Sequence, residues 1–198
     1  YMNYKKKIIN YLNKSGGIIT SEYCRGHNIP TVYLSRLSND GVITKVKNGI
    51  YITENGDYDE LYFFQYNYKK AIYSYETALY LIGQTDKIPW TNDITVYNGY
   101  KFNEKPMLTN VYYVNKYIYE LGIEEVDTMF GNKVKTYSYE RILCDFILNK
   151  KDMDPEVYSK LIMSYPSYDK RNLDSLYYIA SKMKIENKVR DIMEVVYE

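Results

Sequence analysis

The chain has only two cysteines, one histidine and one tryptophan in 198 residues, and the first two scarcities each exclude a class of chemistry. Cys24 and Cys144 stand far apart with no CxxC spacing, so neither a disulfide framework nor a cysteine zinc site is expected. With His27 alone there is no His–His metal pair within one chain, and a single His in a turn is expected at the surface or as a cap, without a catalytic role. No apolar run approaches the roughly 20 residues that span a bilayer. The opening Tyr1-Met2-Asn3-Tyr4-Lys5 has no apolar signal-peptide core, so no membrane association and a reducing cytoplasm are expected. Absent too are GxGxxG, GxxxxGK[ST], HExxH and GxSxG patterns, and no cofactor, metal site or catalytic residue is expected.

Net charge is also nearly absent, yet it is unevenly placed. Through Gly56 there are eight Lys/Arg against three Asp/Glu, and beyond it eighteen against twenty-two, so a part of charge +5 precedes one of −4 and the total is +1. A small basic domain over 1–56 and a larger, slightly acidic one over 57–198 fit a DNA-binding head on a body that does something else. What is abundant is tyrosine, at 27 residues, beside many Lys, Asn and Ile. Either these form a stacking surface for nucleic acid or they reflect an AT-rich genome. In the second, preferred reading tyrosine is a bulky core or boundary residue whose hydroxyl stays in water.

The segment Ile18–Ile52 reads as helix, turn, helix and a two-stranded wing, preceded by a lysine-rich helix. In Lys5–Asn13, Ile8, Ile9 and Leu12 share one face while Lys5, Lys6, Lys7 and Lys14 lie off it. Ser15-Gly16-Gly17 ends this helix, and Ile18-Ile19 pairs with a wing strand or packs beneath it. Thr20 opens a second helix, with Arg25 near its end, Gly26 supplies the next tight turn, and Asn28 caps a third helix running from Pro30 to about Asn39. Leu34, Leu37, Ile29 and Tyr33 point inward. Thr31, Val32, Ser35, Arg36, Ser38 and Asn39 then face outward, a mostly polar stripe suited to base edges and phosphates. Asp40-Gly41 breaks the helix, and Val42–Val46 and Gly49–Ile52 form the wing around Lys47-Asn48-Gly49, with Lys45 and Lys47 as phosphate contacts. Arg36, whose fork grips guanine or phosphate, is the candidate for specificity.

The remaining chain alternates helical and strand patterns. Helices are expected from Tyr58, over Ser74–Ile82, and from a Ser138 cap to about Leu148, with three more near Pro155–Tyr165, Leu173–Met183 and Asn187–Val196. Strands are expected at Ile94–Tyr97, Val111–Val114 and Lys133–Tyr137. The fold class is therefore α+β, an N-terminal winged helix-turn-helix followed by a larger α+β domain with a helical C-terminus. Carboxylates cluster at Asp57, Asp59 and Glu60 and at Glu124, Glu125 and Asp127, where loops or helix starts are expected to place them.

Taken together, Gly17–Ser21, Leu34-Ser35-Arg36-Leu37, Gly41-Val42-Ile43, Lys47–Tyr51, Ser74–Leu79 with Asp86 and Pro89, and Tyr139–Asp145 resemble AbiEi-type antitoxins of bacterial type IV toxin–antitoxin, abortive-infection systems. The resemblance implies a head that binds double-stranded operator DNA, as inverted repeats, and represses its own operon. It also implies a body that counteracts a nucleotidyltransferase-like toxin without necessarily forming a stable complex. Carried over by position, Ser74, Ala78, Leu79, Glu140, Arg141 and Asp145 are candidates for antitoxicity; from the residues alone, Arg141 and Asp145 lie one turn apart and pair. Two other readings stand beside it: a metal-dependent nuclease or transferase body built on the carboxylate clusters, and a winged helix used for protein rather than DNA contacts.

Overall fold

The computed structural model describes residues 3–198 as an α+β protein with a helical C-terminus. Its contacts divide it into two compact units. One runs up to Lys69 and takes in Asp127–Asn132; the other comprises Lys70–Val126 and Lys133–Glu198.

In the first unit the order is helix α1 (Tyr4–Leu12), strand β1 (Ile18–Thr20), helices α2 (Ser21–Gly26) and α3 (Val32–Asn39), strands β2 (Thr44–Lys47) and β3 (Ile50–Ile52), and helix α4 (Glu60–Asn67). The three strands form an antiparallel sheet in the order β1-β3-β2, with Ile18 opposite Ile52 and Ile19 opposite Tyr51. Because strand side chains alternate, the sheet has two apolar faces. Ile19 and Tyr51 join Ile8, Leu12, Leu34 and Leu37 of the helices, whereas Ile18 and Ile50 pack with Phe63 of α4. Phe63 thus ties α4 to this unit, which extends past Gly56 to Lys69. Asp59 caps α4 through the Tyr62 amide (3.3 Å), and its buried carboxylate also accepts from Thr128 Oγ1 and from Asn132 Nδ2 (2.8 Å). That brings 127–132 into this unit.

Local chemistry sets the turns, not always at the residue expected. Gly26 is helical, and the left-handed turn lies at Asn28 (φ 54°). There Ile29 N donates to Cys24 O (2.8 Å) and Asn28 N to Arg25 O (3.3 Å), closing α2 as a Schellman motif with the Ile29–Cys24 apolar contact. Asn28 is therefore a C-terminal stop for α2 and no cap for α3, which starts at Val32 after Thr31. Thr20 likewise precedes α2, its hydroxyl accepting from the Tyr23 amide (3.1 Å). At Gly17 (φ 76°) a Cβ would come within 2.4 Å of Thr53 Oγ1 and 2.8 Å of Gly56 Cα, and Thr53 N donates to Gly17 O (2.9 Å). Only glycine allows these two backbone segments to approach so closely.

The second unit holds strands β4 (Ile72–Tyr73), β5 (Asn92–Tyr97), β6 (Thr109–Val114), β7 (Ile123–Asp127, all but its last residue) and β8 (Lys133–Tyr137) in the order β6-β5-β4-β8-β7. β4 is antiparallel to β5 and parallel to β8, while β5 and β6 run parallel with Asn92 opposite Thr109. Its helices are α5 (Tyr75–Leu81), the short α6 (Lys116–Tyr119), α7 (Tyr139–Leu148), α8 (Pro155–Ser164), α9 (Leu173–Lys182) and α10 (Glu186–Tyr197). The carboxylates Glu124, Glu125 and Asp127 belong to β7, not to a loop or helix start; all three are exposed, and Ile123 and Val126 are half-buried. Helix α7 is the centre: Ser138 caps it through the Arg141 amide (3.2 Å), every residue from Tyr139 to Ile147 is buried, and α5, α8, α9 and α10 all contact it.

Tyrosine hydroxyls in this core do not stay in water. Tyr137 donates to Tyr119 O (2.7 Å), Tyr139 to Leu161 O (2.7 Å) and Tyr165 to Glu140 Oε1 (2.9 Å). Each ring brings apolar bulk, as expected of a core residue, while its hydroxyl satisfies a buried acceptor in place of the water expected from composition.

Candidate nucleic-acid interface and buried polar cluster

Helix α3 buries Leu34 and Leu37 and exposes the stripe Val32, Ser35, Arg36 and Asn39, with Thr31 just before it; Ser38 is half-buried. The Arg36 guanidinium carbon stands 5.0 Å over the Tyr33 ring. This contact restrains the side chain without using its N–H donors, and no described residue engages them. Lys45, Lys47 and Asn48 are exposed on β2 and its turn, where Gly49 (φ 73°) reverses the chain. Lys45 lies opposite Tyr51 and Lys47 opposite Ile50, the register shifting between them, so an irregularity sets the spacing of the two lysines. Lys6, Lys7, Lys14 and Arg25 are also exposed, and among the described residues none of them makes an ion pair. Lys5 differs: it is half-buried and its Nζ lies 2.7 Å from Asp40 Oδ2. With both side chains substantially in solvent, that pair restrains Lys5 weakly. His27 accordingly sits at the C-cap of α2, its Nδ1 2.9 Å from Tyr23 O and its ring stacked on Tyr23 at 3.9 Å.

The six residues carried over for antitoxicity all lie inside the second unit. Ala78 and Leu79 are core residues of α5. Ser74 precedes α5, fully buried, with its hydroxyl unpartnered. Glu140 accepts from Tyr165 OH and from Asn172 N (2.8 Å), fixing the start of α9. Arg141, fully enclosed, donates from Nε to Asp145 Oδ1 (3.1 Å) and from Nη1 to the carbonyls of Ile118 (2.5 Å) and Leu121 (2.7 Å), and it packs 4.1 Å over the Tyr137 ring. The pair expected from the one-turn spacing is present, and its further partners lie about α6. Gly122 (φ 74°) makes room, since a Cβ there would come 2.8 Å from Arg141 Cβ. These partners are distant in sequence, so no local pattern could have named them.

Burial dominates the electrostatics. It pushes the Asp145 carboxyl above the usual carboxylate range, and Arg141 offsets this only in part. Burial acts against the charged Arg141, but Asp145 and Tyr137 more than restore it and its pKa is raised. Both cysteines are buried and unpaired, and burial lifts the Cys24 thiol to about 11, well away from a reactive thiolate. Among the described residues no group of three or more His, Cys, Asp or Glu is placed to hold a metal ion, and no helix is long and apolar enough to cross a membrane.

No family model matches the chain, and no curated protein matches it in sequence. In fold it is similar to the crystal structure of the RV2827C protein from Mycobacterium tuberculosis, with a TM-score of 0.54 at 11% identity over 91% of this chain and 72% of that one. At this identity the likeness concerns the fold.

Proposed function

We propose that the first unit is a winged helix-turn-helix that binds double-stranded operator DNA, and that the chain is an autoregulating antitoxin of the type IV class. The observation that carries the DNA reading is that one unit presents both an exposed polar stripe on α3 and exposed lysines on β2. In this reading α3 enters the major groove, Arg36 contacts a base edge, and Lys45, Lys47 and Asn48 meet the backbone. Lys6, Lys7, Lys14 and Arg25 add sequence-independent attraction. Inverted repeats would be filled by two copies or by successive monomers.

The antitoxin half rests on the sequence resemblance. Its six matched residues are enclosed, so in this reading they act by holding the second unit's fold, while the surface that counteracts a nucleotidyltransferase-like toxin lies elsewhere on that unit. Action in the cytoplasm without a stable complex agrees with this.

The test uses the full chain. A mobility-shift titration with DNA from upstream of its own gene should give a specific complex that weakens steeply with salt. Arg36→Ala should remove about 1–3 kcal/mol of specific binding, whereas Lys45→Ala and Lys47→Ala should weaken specific and non-specific binding alike. Unchanged operator affinity in all three variants would refute the assigned surface. Co-expression of Arg36→Ala with the neighbouring toxin gene then separates the roles: repression is lost and protection retained.

A further inference from the structure

The second unit carries a feature that DNA binding does not use. Strands β5 and β6 enter their parallel pairing side by side, Asn92 N donating to Leu108 O (2.9 Å). Just before the pairing, the two chains expose Ile88 and Trp90 on one side and Met107 and Leu108 on the other; Trp90, the sole tryptophan, is 92% exposed. Four large apolar residues bared at one place are a rarity that marks contact surfaces.

Beside them opens a cleft of about 260 Å3, lined among others by Trp90, Tyr75, Tyr112 and Phe146. The Tyr75 and Tyr112 rings are stacked at 4.1 Å. Glu76, Asp93, Asp152 and Asp154 also line it, against the single cation Lys87, which stands 3.6 Å from Glu76. Asp93 is buried, accepting from Asn110 Nδ2 (2.9 Å) and the Glu76 amide (3.2 Å), both neutral donors. Burial raises its pKa, and among the described residues no cation contacts its carboxylate.

We propose that this face docks a basic, apolar segment of another protein, an arginine of the segment entering the cleft between the carboxylates and the tyrosine rings while its apolar neighbours cover Trp90 and Met107. Charge complementarity selects the occupant: a cleft with four carboxylates and one lysine repels nucleic acid and draws a cation. The aromatic rings favour arginine over lysine, because a planar, weakly hydrated guanidinium stacks on them while its edge pairs with carboxylate. The inference concerns the second unit alone and does not depend on whether α3 binds DNA.

Trp90 makes the test direct, since all tryptophan emission of this chain arises at the cleft. Titration with a tryptophan-free hexapeptide alternating arginine and leucine should shift and saturate this emission. The lysine counterpart should bind about threefold or more weaker and the glutamate counterpart not at all. Asp93→Asn and Glu76→Gln should each weaken the arginine peptide about tenfold, as expected for loss of a partly desolvated charge contact. Calorimetry on Trp90→Phe, with folding verified by circular dichroism, should retain binding. An equal response to arginine and glutamate peptides, or full affinity in both carboxylate variants with their fold intact, would overturn the proposal. So would self-association that the arginine peptide competes away, because the occupant would then be a second copy of this chain.

Discussion

Replacing Arg141 with methionine tests whether the Glu-Arg-x-x-x-Asp segment works as a structural clamp. Methionine keeps much of the apolar stem but deletes the bond to Asp145, the two bonds to the Ile118 and Leu121 carbonyls and the cation over Tyr137. Asp145, 3% exposed and already with one oxygen unpartnered, is left as a buried carboxylate without a counter-ion. Removing one member of a buried ion pair costs roughly 3–5 kcal/mol, and orphaned carbonyls push toward the upper end. Against a domain stability of about 5–15 kcal/mol this is a large fraction. At roughly 2–4 °C per kcal/mol the midpoint should fall by about 6–20 °C. The loss should also depend on pH. Without Arg141 the folded pKa of Asp145 rises further, so the folded variant binds a proton that the unfolded chain has released. Its stability then falls as pH rises from the ordinary carboxylate range to the raised folded pKa, by up to about 1.4 kcal/mol per unit. The double variant Arg141→Met with Asp145→Leu removes the stranded charge and should recover most of the loss. Urea unfolding followed by circular dichroism measures all three proteins. An Arg141→Met protein within about 1 kcal/mol of the parent, or a double variant no more stable than the single, would refute the clamp.

Gly17→Ala, which meets Thr53 and the Gly56 backbone at positive φ, should cost about 2–3 kcal/mol in thermal unfolding. Gly41→Ala, at a similar φ of 73° with open space around it, should cost about 1 kcal/mol; equal losses would show that the close approach at Gly17 is unimportant. Burial pushes Tyr62 and Tyr112 up to about 12, so folded protein keeps protons that unfolded tyrosines lose near 10, and stability declines from about pH 10 through 12. Near-ultraviolet phenolate absorbance should therefore titrate in at least two steps; a single step near 10 with secondary structure retained would contradict this.

The sequence made the long helices legible because amphipathic spacing and capping residues agreed: Ser138 heads α7 as expected, and β8 spans Lys133–Tyr137 as expected. Short elements were not legible. The two-residue β4 and four-residue α6 are too brief for any periodicity, and β7 presents Glu124, Glu125 and Asp127 where a strand reader looks for apolar alternation. Glycine drew attention to the wrong turn, since Asn28 accepts the left-handed conformation that Gly26 was expected to take. The outward stripe of α3 could be read from Leu34 and Leu37. The carbonyls that Arg141 grips could not, because sequence gives spacing along one helix and nothing of what another segment brings to it.

The hydrogen bonds from Thr128 and Asn132 to Asp59 bear on how the gene may be cut. A fragment ending at Lys69 carries α4 but loses both side-chain donors to its capping carboxylate, leaving Asp59 with the Tyr62 amide. Shortening the turn after β7 inflicts the same injury from the other end of the sequence. Truncations at the apparent boundary will thus report damage inside the first unit as though it were loss of the second, and point substitutions in the intact chain are the cleaner instrument for assigning work to either.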